Sequence, residues 1–417
     1  MEDRPGQTPT DGLRARGDAV AWDVARRLAH AVARPAPVVS RALSEADGCV
    51  LGTPLVSPVA VPPVDRAAMD GYAVRGPGPW RVIGHVPAGS SDPGVLEDGQ
   101  ATGIVTGAAV PAGATSVVRS EDAVVTGDHL EGPSGLQGPS GVDGASGEGR
   151  HIRRTGEECR PGDRLLPAGV VVDPAVLGLA ATVGLNRLTV VPPPTVAALI
   201  TGDELVHRGP STPGRVRDAI GPMLPGLVTR AGALNAVHRH LPDSRDELTA
   251  ALTAAQADLI LVSGSSAAGP ADHLRPALTE LDADLIVDGV ACRPGHPQAL
   301  AQLPDGRLVL GLPGNPFAAL VAFLTLGVAS ILRMRGLPLP DLTNIAVPGG
   351  ISCHPSSTRL VPVRLTAQGA VPVGHGGAAM LRGPAAADAL AVVAPGPAEA
   401  IAARLLPINP GAHSWLT

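Results

Sequence analysis

The sequence predicts a multidomain protein that combines α/β and β domains, and three observations support this. At 417 residues the chain is long enough for about three domains of roughly 150 residues each. Short valine-rich runs broken by Gly and Pro fill residues 50–130 and return after Pro338. Between residues 186 and 335, an apolar strand, a glycine-bearing loop and a helical segment follow one another three times, which favours a parallel α/β sheet.

The N-terminal part predicts one amphipathic helix. Within residues 18–34, Val20, Val24 and Leu28 recur at helical spacing. No export signal is visible before it, since the first residues lack an apolar core. The longest apolar stretch, residues 317–332, is shorter than the roughly 20 residues that a membrane-spanning helix needs. We therefore predict a buried helix there and no membrane partner.

Composition argues against a nucleic-acid partner. The 32 basic and 38 acidic residues leave a net charge of −6, and the six aromatic residues are too few for base stacking. All basic residues are arginine, which we interpret as drift in composition across the whole chain. The four cysteines form no Cys-x-x-Cys pair and are too few for a disulfide framework, so we expect a cytoplasmic location.

Glycine occurs at every third position from residue 132 to residue 147. The period is that of collagen, but the run is far too short for a triple helix. We predict a flexible loop between β elements, with a specific partner site as the less favoured alternative.

Three polar loops follow the three apolar strands of the predicted α/β region, and parallel strands bind ligands at their carboxyl ends. In the loop at residues 311–316, Asn315 suits a helix N-cap, and Gly311 and Gly314 allow a ligand to approach the backbone. An anion could dock on the free N–H groups there, or the loop could be an ordinary strand-to-helix turn. From this motif alone the two interpretations are equally favoured.

Acidic and hydroxyl groups occupy the other two loops. Asp203 and Glu204 could hold Mg²⁺ or polarise a nucleophile, although capping of the next helix is the better interpretation of the pair taken alone. Ser263–Ser266 with Asp272 could cradle a phosphate or a pterin, and an unliganded connection would look similar. His238 and His240 are metal-compatible only on a strand, and no third ligand is evident, so a metal site there is disfavoured.

Five segments together resemble the molybdopterin molybdenumtransferases, the family of MoeA and the gephyrin E domain. They occur in the family's order, and five modest matches in sequence are very improbable by chance. The segments are PVDRAAMDGYAV (63–74), VTGAAVPAGA (105–114), IRRTGEE (152–158), TGDELV (201–206) and GLPGNP (311–316).

The resemblance implies an elongated homodimer of four-domain chains with an active cleft completed across the dimer. It also implies that molybdate is inserted into adenylylated molybdopterin, with Mg²⁺-assisted hydrolysis of the adenylate and release of AMP. Molybdopterin adenylyltransferase and molybdoenzymes would be its protein partners. The implied domains are a discontinuous elongated domain (18–50 and 150–185), an inserted β-rich domain (51–149), a molybdopterin-binding-like α/β domain (186–336) and a small β-barrel-like domain (337–417).

The resemblance carries roles to individual residues. Asp272 would promote adenylate hydrolysis, and Asp203 and Asp272 would hold the metal. Asp243 is the loosest match. The implied catalytic residues are Asp65, Asp203, Glu204, Asp218 and Asp272. The implied substrate-binding residues are Thr106, Asp243, Ser263, Gly264, Ser265, Gly311, Gly314 and Asn315. The implied molybdate-binding residues are Arg293, His296, Arg359 and Arg364.

The chain also departs from the family pattern. The family's lysine pair becomes Arg293 and His296, so one cation becomes mostly neutral at pH 7. Polar groups are lost or changed at Ala219, Ile220, Ser265 and Ala378. These departures leave open a molybdopterin-binding paralogue with weak or no turnover. An interaction scaffold that uses the 132–147 loop or the C-terminal β region is the third and least favoured hypothesis.

Overall fold

A computed structural model describes residues 19–132, 149–264, 272–374 and 377–409. The chain divides into two compact units. The larger unit takes its described residues from Met1–Val39, Gly48–Val50 and Val190–Thr417, and the smaller unit comprises Ser40–Asp47 and Leu51–Thr189. The four domain boundaries expected from the sequence are finer than this division and stay a prediction.

The larger unit contains the predicted α/β sheet. Its first four strands are parallel, and the last two are antiparallel to their neighbours. The fold class predicted from the sequence is therefore confirmed. In spatial order the six strands are Leu234–Leu241, Thr195–Thr201, Leu259–Val262, Leu308–Gly311, Ala299–Gln302 and Asp284–Asp288.

Both faces of this sheet are covered, which explains why its central strands are apolar without interruption. Along one strand, Val196, Ala198 and Ile200 enter one hydrophobic core, while Ala197 and Leu199 enter the other. Successive side chains of a strand point to opposite faces, so a strand buried on both sides has no polar position. The helices of the larger unit are Trp22–Val32, Ile220–Arg230, Arg245–Ala254, Leu274–Glu280, Pro316–Met334 and Arg382–Ala385.

The predicted N-terminal helix begins at Trp22 and ends at Val32. Trp22 is 1% exposed, and its Nε1 donates to Oγ1 of Thr325 at 3.0 Å. Oγ of Ser330 donates to the carbonyl of Ala29 at 3.1 Å. This helix thus packs along Pro316–Met334 within the larger unit.

Pro316–Met334 is the buried apolar helix expected at residues 317–332. By length and composition alone it could cross a membrane, with a mean hydropathy of 2.0, but 89% of its most apolar stretch is buried inside the protein. A mostly buried helix of this kind is typical of a protein core. Its middle turn, Phe323–Gly327, is π-helical, a widening that often marks functional segments.

A second sheet of the larger unit is built mainly from the C-terminal strands. It also recruits Val20–Ala21 and Val290–Arg293, which the sequence analysis assigned to other domains, because both extend its edge in parallel pairing. The remaining strands, in spatial order from Val290–Arg293, are Thr358–Thr366, Ala389–Val393, Glu399–Pro407 and Asn344–Ser352, with Gly369–Pro372 paired to Thr358–Thr366.

The smaller unit is β-rich, as predicted. Its main sheet has six strands, in the order Val124–Thr126, His129–Glu131, Trp80–Val86, Gln100–Ile104, Gly71–Val74 and Ser116–Arg119. Two antiparallel pairs join Arg66–Ala67 to Ile152–Arg153 and Leu55–Val56 to Arg164–Leu166. The helix Pro174–Thr182 is capped by Asp173, whose carboxylate accepts the N–H of Val176 at 2.8 Å. Apart from Gly132, the glycine-rich loop lies outside the described residues.

Short elements complete the fold. The chain also forms the strands Val39–Ala42, Val50–Leu51 and Arg187–Val191, and the 3₁₀ turns Leu43–Glu45 and Ser120–Asp122. Leu205–Val206 pairs in parallel with Val216–Arg217 after the strand Thr195–Thr201. This pairing closes a loop, residues 207–218, which is called the excursion below.

Candidate active site

Four parallel strands end at one edge of the α/β sheet. Thr201 pairs in register with Leu241, and Val262 pairs with Gly311. The three loops predicted to meet at this edge therefore follow neighbouring strands. A fourth loop, after Leu241, joins them and carries Asp243.

Asp203 and Asp243 bind each other's backbone. The N–H of Asp203 donates to Oδ2 of Asp243 at 3.1 Å, and the N–H of Asp243 donates to Oδ1 of Asp203 at 3.2 Å. The helix-cap interpretation of Asp203 and Glu204 is wrong, because the next helix begins only at Ile220. Both residues are exposed. Their carboxylates are thus presented at the strand ends, where they can meet a cation.

Ser263 and Gly264 lie against the end of the neighbouring strand. Oγ of Ser263 accepts the N–H of Thr201 at 3.2 Å, and Oγ1 of Thr201 donates to the carbonyl of Ser263 at 2.6 Å. Gly264 has a φ of +85°, and a Cβ there would lie 2.5 Å from Oγ1 of Thr201. Only glycine fits this position without displacement. Ser265 lies outside the described residues.

Asp272 lines the same pocket as Thr201, Ser263 and Gly264. Its side chain is 9% exposed, and Oδ2 accepts a hydrogen bond of 2.5 Å from Arg275. Arg275 also donates to Oδ1 of Asp288, at 2.7 and 2.5 Å. Burial opposes the charge of Arg275, but the bonds to Asp288 and Asp272 raise its pKa above the usual value.

Sequence reasoning missed Arg275. The signal was present, since an acidic residue and an arginine three positions apart on a helical segment can pair. Arg275 lies in the first turn of the helix Leu274–Glu280, and Asp272 precedes that helix by two residues.

The loop after Gly311 leads into the helix Pro316–Met334 as predicted. Asn315 is the N-cap by position and Pro316 opens the helix, although the Asn315 side chain makes no capping bond. The N–H groups of Phe317 and Ala318 donate to the carbonyl of Ala378, at 3.0 and 3.1 Å. These two donors are therefore already used, which favours the interpretation of the loop as a strand-to-helix turn over anion docking on these N–H groups.

The exposed Gly314 and Asn315 remain at the sheet edge. A Cβ at Gly314 would lie 3.8 Å from Cα of Gly264. The loops after Val262 and Gly311 are thus in close proximity, while Gly311 itself is buried in its strand.

Asp218 is 5% exposed and caps the helix Ile220–Arg230, with Oδ1 accepting the N–H groups of Ile220 and Gly221 at 3.0 and 2.8 Å. Its Oδ2 lies 4.0 Å from Nδ1 of His207 and 4.0 Å from Nε2 of His240. The pKa of His240 is lowered, first by burial and then by His207, against the opposing effect of Asp218.

The four predicted molybdate-binding residues are only partly brought together. Arg293 and Arg359 are register partners on adjacent parallel strands. Nδ1 of His296 lies 3.0 Å from the carbonyl of Val290, close to Arg293 along the chain. Arg364 is five residues beyond Arg359 on one strand, roughly 17 Å away, and donates to the carbonyl of Ala386.

The smaller unit holds the remaining predicted residues, Asp65 and Thr106. Oδ1 of Asp65 accepts the N–H and hydroxyl of Thr155 at 2.8 and 2.9 Å, and Oδ2 accepts a bond of 2.6 Å from Arg154. Burial acts to raise the pKa of Asp65, but these bonds lower it below the usual value.

The N–H and hydroxyl of Thr106 donate to Oδ1 of Asp70, at 2.6 and 2.8 Å. These bonds lower the pKa of Asp70. The sequence did not predict this role for Asp70, although Asp70 lies within segment 63–74 and is the direct partner of Thr106.

Comparison with known proteins agrees with this arrangement. Residues 20–184 match the family described as the MoeA N-terminal region (domain I and II), and residues 197–333 match the probable molybdopterin binding domain. Molybdopterin molybdenumtransferase 2 of Mycobacterium tuberculosis is 34% identical over 333 residues, which cover 76% of this chain and 80% of that protein. The chain belongs to the molybdopterin molybdenumtransferase family.

Other molybdopterin molybdenumtransferases support the assignment. The protein of that name from a Nostoc species is 32% identical over 307 residues, covering 70% of this chain and 68% of its own. The crystal structure of the molybdopterin biosynthesis MoeA protein from Pyrococcus horikoshii matches with a TM-score of 0.74 and 26% identity, and covers 94% of this chain and 99% of that one.

The family-like segments collect in two places. Segments 201–206 and 311–316 lie at the strand ends of the larger unit. Segments 63–74, 105–114 and 152–158 adjoin one another in the smaller unit, since Ile152–Arg153 pairs with Arg66–Ala67 and the N–H of Val110 donates to the carbonyl of Asp65. The residues selected from these segments therefore form two groups, one in each unit.

Proposed function

We propose that this chain inserts molybdate into adenylylated molybdopterin, hydrolyses the adenylate and releases AMP. The observation that carries the proposal is the cluster of Asp203, Asp243, Ser263 and Asp272 around one edge of the sheet. This edge belongs to a chain of the molybdopterin molybdenumtransferase family.

Hydroxyl and backbone groups would hold the pterin phosphate. Ser263 and Gly264 line the pocket, and the Ser263 hydroxyl, which accepts the N–H of Thr201, can still donate its own proton to a ligand. Gly314 and Asn315 approach them from the next loop. Because such groups are fixed by the strand ends, they can orient a phosphorylated ligand with little reorganisation.

Carboxylates at the same edge suit Mg²⁺, which prefers oxygen ligands. Asp203 would hold the ion through the oxygen that does not accept the N–H of Asp243, and Glu204 is exposed beside it. The ion, when bound, would neutralise charge on the pyrophosphate. Asp272 is the second proposed ligand and hydrolytic residue, and Arg275 fixes the orientation of its carboxylate.

Arg293 and Arg359 would attract molybdate, since cationic residues that are register partners on adjacent strands favour an oxyanion. Arg359 also donates through Nη1 to the carbonyl and Oγ of Ser352, which would hold its guanidinium in place. His296 and Arg364 are proposed as weaker contributors. His296 is held beside Val290, and Arg364 is separated along its strand. Asp218, proposed as catalytic, caps a helix instead of facing the pocket residues, so its role would be indirect.

A homodimer is part of the proposal. Asp65 and Thr106 would complete the cleft of a partner subunit, as the family resemblance implies. Molybdopterin adenylyltransferase would supply the substrate, molybdoenzymes would receive the product, and the reaction would take place in the cytoplasm.

The test supplies purified protein with adenylylated molybdopterin, molybdate and Mg²⁺, and measures AMP together with reconstitution of a cofactor-free molybdoenzyme. We expect both products to form, and both to fall in the Asp203→Asn variant. Absence of AMP at every molybdate concentration would contradict the proposal.

The alternative is a paralogue that binds molybdopterin without turnover. The replacements at Ala219, Ile220, His296 and Ala378 favour it, while the relatives named transferases favour the enzyme. Stoichiometric pterin binding without AMP, with turnover gained in the double variant His296→Lys and Ala219→Ser, would identify the paralogue.

A further inference from the structure

Two histidines and a buried aspartate form a cluster at the outer strand of the α/β sheet. His207, Asp218 and His240 each offer one ligand atom, and these atoms all lie within 4.8 Å of one another. We propose that this cluster binds a divalent first-row transition ion such as Zn²⁺, and that the ion fastens the segment 207–218 to the sheet. The proposal does not depend on the transferase reaction.

The buried carboxylate already has the orientation that a ligand needs. Oδ1 of Asp218 accepts hydrogen bonds from the N–H groups of Ile220 and Gly221, so the carboxylate cannot rotate freely. Oδ2 consequently faces the imidazole nitrogens of His207 and His240, each at 4.0 Å.

The distances are close to those of a metal site. Zinc bonds of about 2.0–2.1 Å place the ligand atoms of a tetrahedral site roughly 3.3 Å apart. The imidazole rings of His207 and His240 have centroids 3.7 Å apart and are tilted by 48°, which is closer than the roughly 5 Å that separates two imidazole rings on one tetrahedral ion. An ion would therefore turn the two partly exposed rings away from each other, so that one nitrogen of each ring and Oδ2 of Asp218 bind the ion together.

The chemical types of the three ligand atoms determine which class of metal ion the cluster would bind. Two imidazole nitrogens and one carboxylate oxygen suit zinc and its neighbours, whereas Mg²⁺ and Ca²⁺ prefer oxygen alone. The cluster thus differs in chemistry from the carboxylates of Asp203 and Asp243. Three protein ligands also leave a fourth position for water.

Because the three ligands lie on two different segments of the chain, a bound ion would cross-link those segments. His207 and Asp218 stand at the two ends of one excursion, next to the paired strands Leu205–Val206 and Val216–Arg217. His240 belongs to Leu234–Leu241, the strand that leads directly to Asp243. An ion would cross-link the excursion to this strand and restrict the loops that carry Asp203 and Asp243.

The experiment uses the full chain without a polyhistidine tag, stripped with EDTA and titrated with Zn²⁺ in a calorimeter. We expect one ion per chain. His207→Ala and His240→Ala should each weaken binding at least tenfold, and Asp218→Asn should do so while the asparagine still caps the helix. His129→Ala, an exposed histidine in the smaller unit, is the matched control and should bind as the wild type does.

Two further readouts distinguish the site from adventitious binding. Co²⁺ should give the visible absorption of a tetrahedral complex, which Zn²⁺ displaces and excess Mg²⁺ does not. Hydrogen exchange within residues 207–218 should slow when Zn²⁺ is added. Absence of stoichiometric binding, or equal Zn²⁺ affinity in the wild type and in a folded His207→Ala variant, would overturn the proposal.

Discussion

Asp203 and Asp243 exchange backbone hydrogen bonds across two loops, each N–H donating to the other's carboxylate at 3.1 and 3.2 Å. Each carboxylate uses one oxygen in this exchange, and among the described residues its other oxygen makes no hydrogen bond. The pair therefore fixes the two loops against each other and concentrates negative charge at the strand ends. A cation would relieve the repulsion between the two charges.

We predict that Asp203→Asn lowers AMP release about 100-fold or more, because loss of a metal-binding charge removes several kcal/mol of transition-state stabilisation. The asparagine oxygen can still accept the N–H of Asp243, so the free energy of unfolding should change by less than about 1 kcal/mol. Initial rates across a Mg²⁺ titration and urea unfolding measure the two effects.

Asp246→Asn is the control for this substitution. Asp246 lies close to Asp243 along the chain, and its side chain is 88% exposed. It should keep wild-type rates. Equal losses in the two variants would show that general charge near the edge, and not Asp203 itself, supports the reaction.

Gly264→Ala should destabilise the protein by about 2–4 kcal/mol, since it adds a collision with Thr201 to the strain of a positive φ. Gly306→Ala isolates the strain, because Gly306 has a φ of +94° and a Cβ there would meet no atom within 4 Å. The free energy of unfolding of that variant should fall by only about 1 kcal/mol. Chemical denaturation of both variants measures the difference, and equal losses would refute the steric argument.

The sequence was sufficient to predict the sheet and the convergence of its polar loops at one edge. Uninterrupted apolar runs such as Leu259–Val262 occur where both faces of a strand are covered, and glycine-bearing loops mark the strand ends. Ser263 and Asp272 were predicted to lie together at this edge, and both line one pocket with Thr201.

Side-chain partners could not be predicted in the same way, because they depend on contacts between distant parts of the chain. The carbonyl of Ala378 reaches the helix start at Phe317 from far along the sequence. His207 meets His240 only after the excursion folds back onto the sheet. No local pattern encodes either contact, so the sequence predicted neither the bonded helix N-terminus nor the approach of His207 and Asp218 to His240.

Arg275→Met should destabilise the protein by about 2–3 kcal/mol, since it leaves the nearly buried Asp272 without its cationic partner. The double variant with Asp272→Asn should recover part of the loss, because the unpaired charge is gone. A double-mutant cycle of unfolding free energies measures the coupling, which we expect to be at least about 1 kcal/mol. Additive losses would show that the two side chains act independently.

Cys292 should resist alkylation in the folded protein. Burial raises the pKa of its thiol from 9.0 to about 12, partly offset by a hydrogen bond from Gln298. At pH 8 its thiolate is therefore roughly a thousandfold scarcer than that of an ordinary thiol. With iodoacetamide and peptide mass analysis, the partly exposed Cys353 should react first.

The same thiol makes stability depend on pH. Because the folded pKa is raised, its contribution is complete below about pH 9 and is lost as the pH rises toward 12. Cys292→Ser should therefore flatten the decline of unfolding free energy in this range. Rapid labelling of Cys292 in the folded protein at pH 8 would contradict the assignment.

Asp65 should act as a permanently charged group and not as a proton acceptor. Its lowered pKa keeps the carboxylate ionised throughout the range from pH 5 to 9, roughly, in which the reaction can be assayed. Asp65→Asn should consequently lower kcat/KM by the same factor at every pH. Loss of a general base would instead abolish the fall in kcat/KM on the acidic side of the pH profile. Asp92→Asn, an exposed aspartate of the same unit, is the control and should keep the wild-type profile.

Stability gives an independent check on the charge of Asp65. The bonds from Thr155 and Arg154 stabilise the folded state above the usual carboxyl pKa of 3.8, and this contribution is lost as the pH falls through the lower folded value. The difference in unfolding free energy between wild type and Asp65→Asn should therefore shrink in acid. A difference that stays constant from neutral pH down to acid would show that the carboxylate charge does not contribute to these bonds.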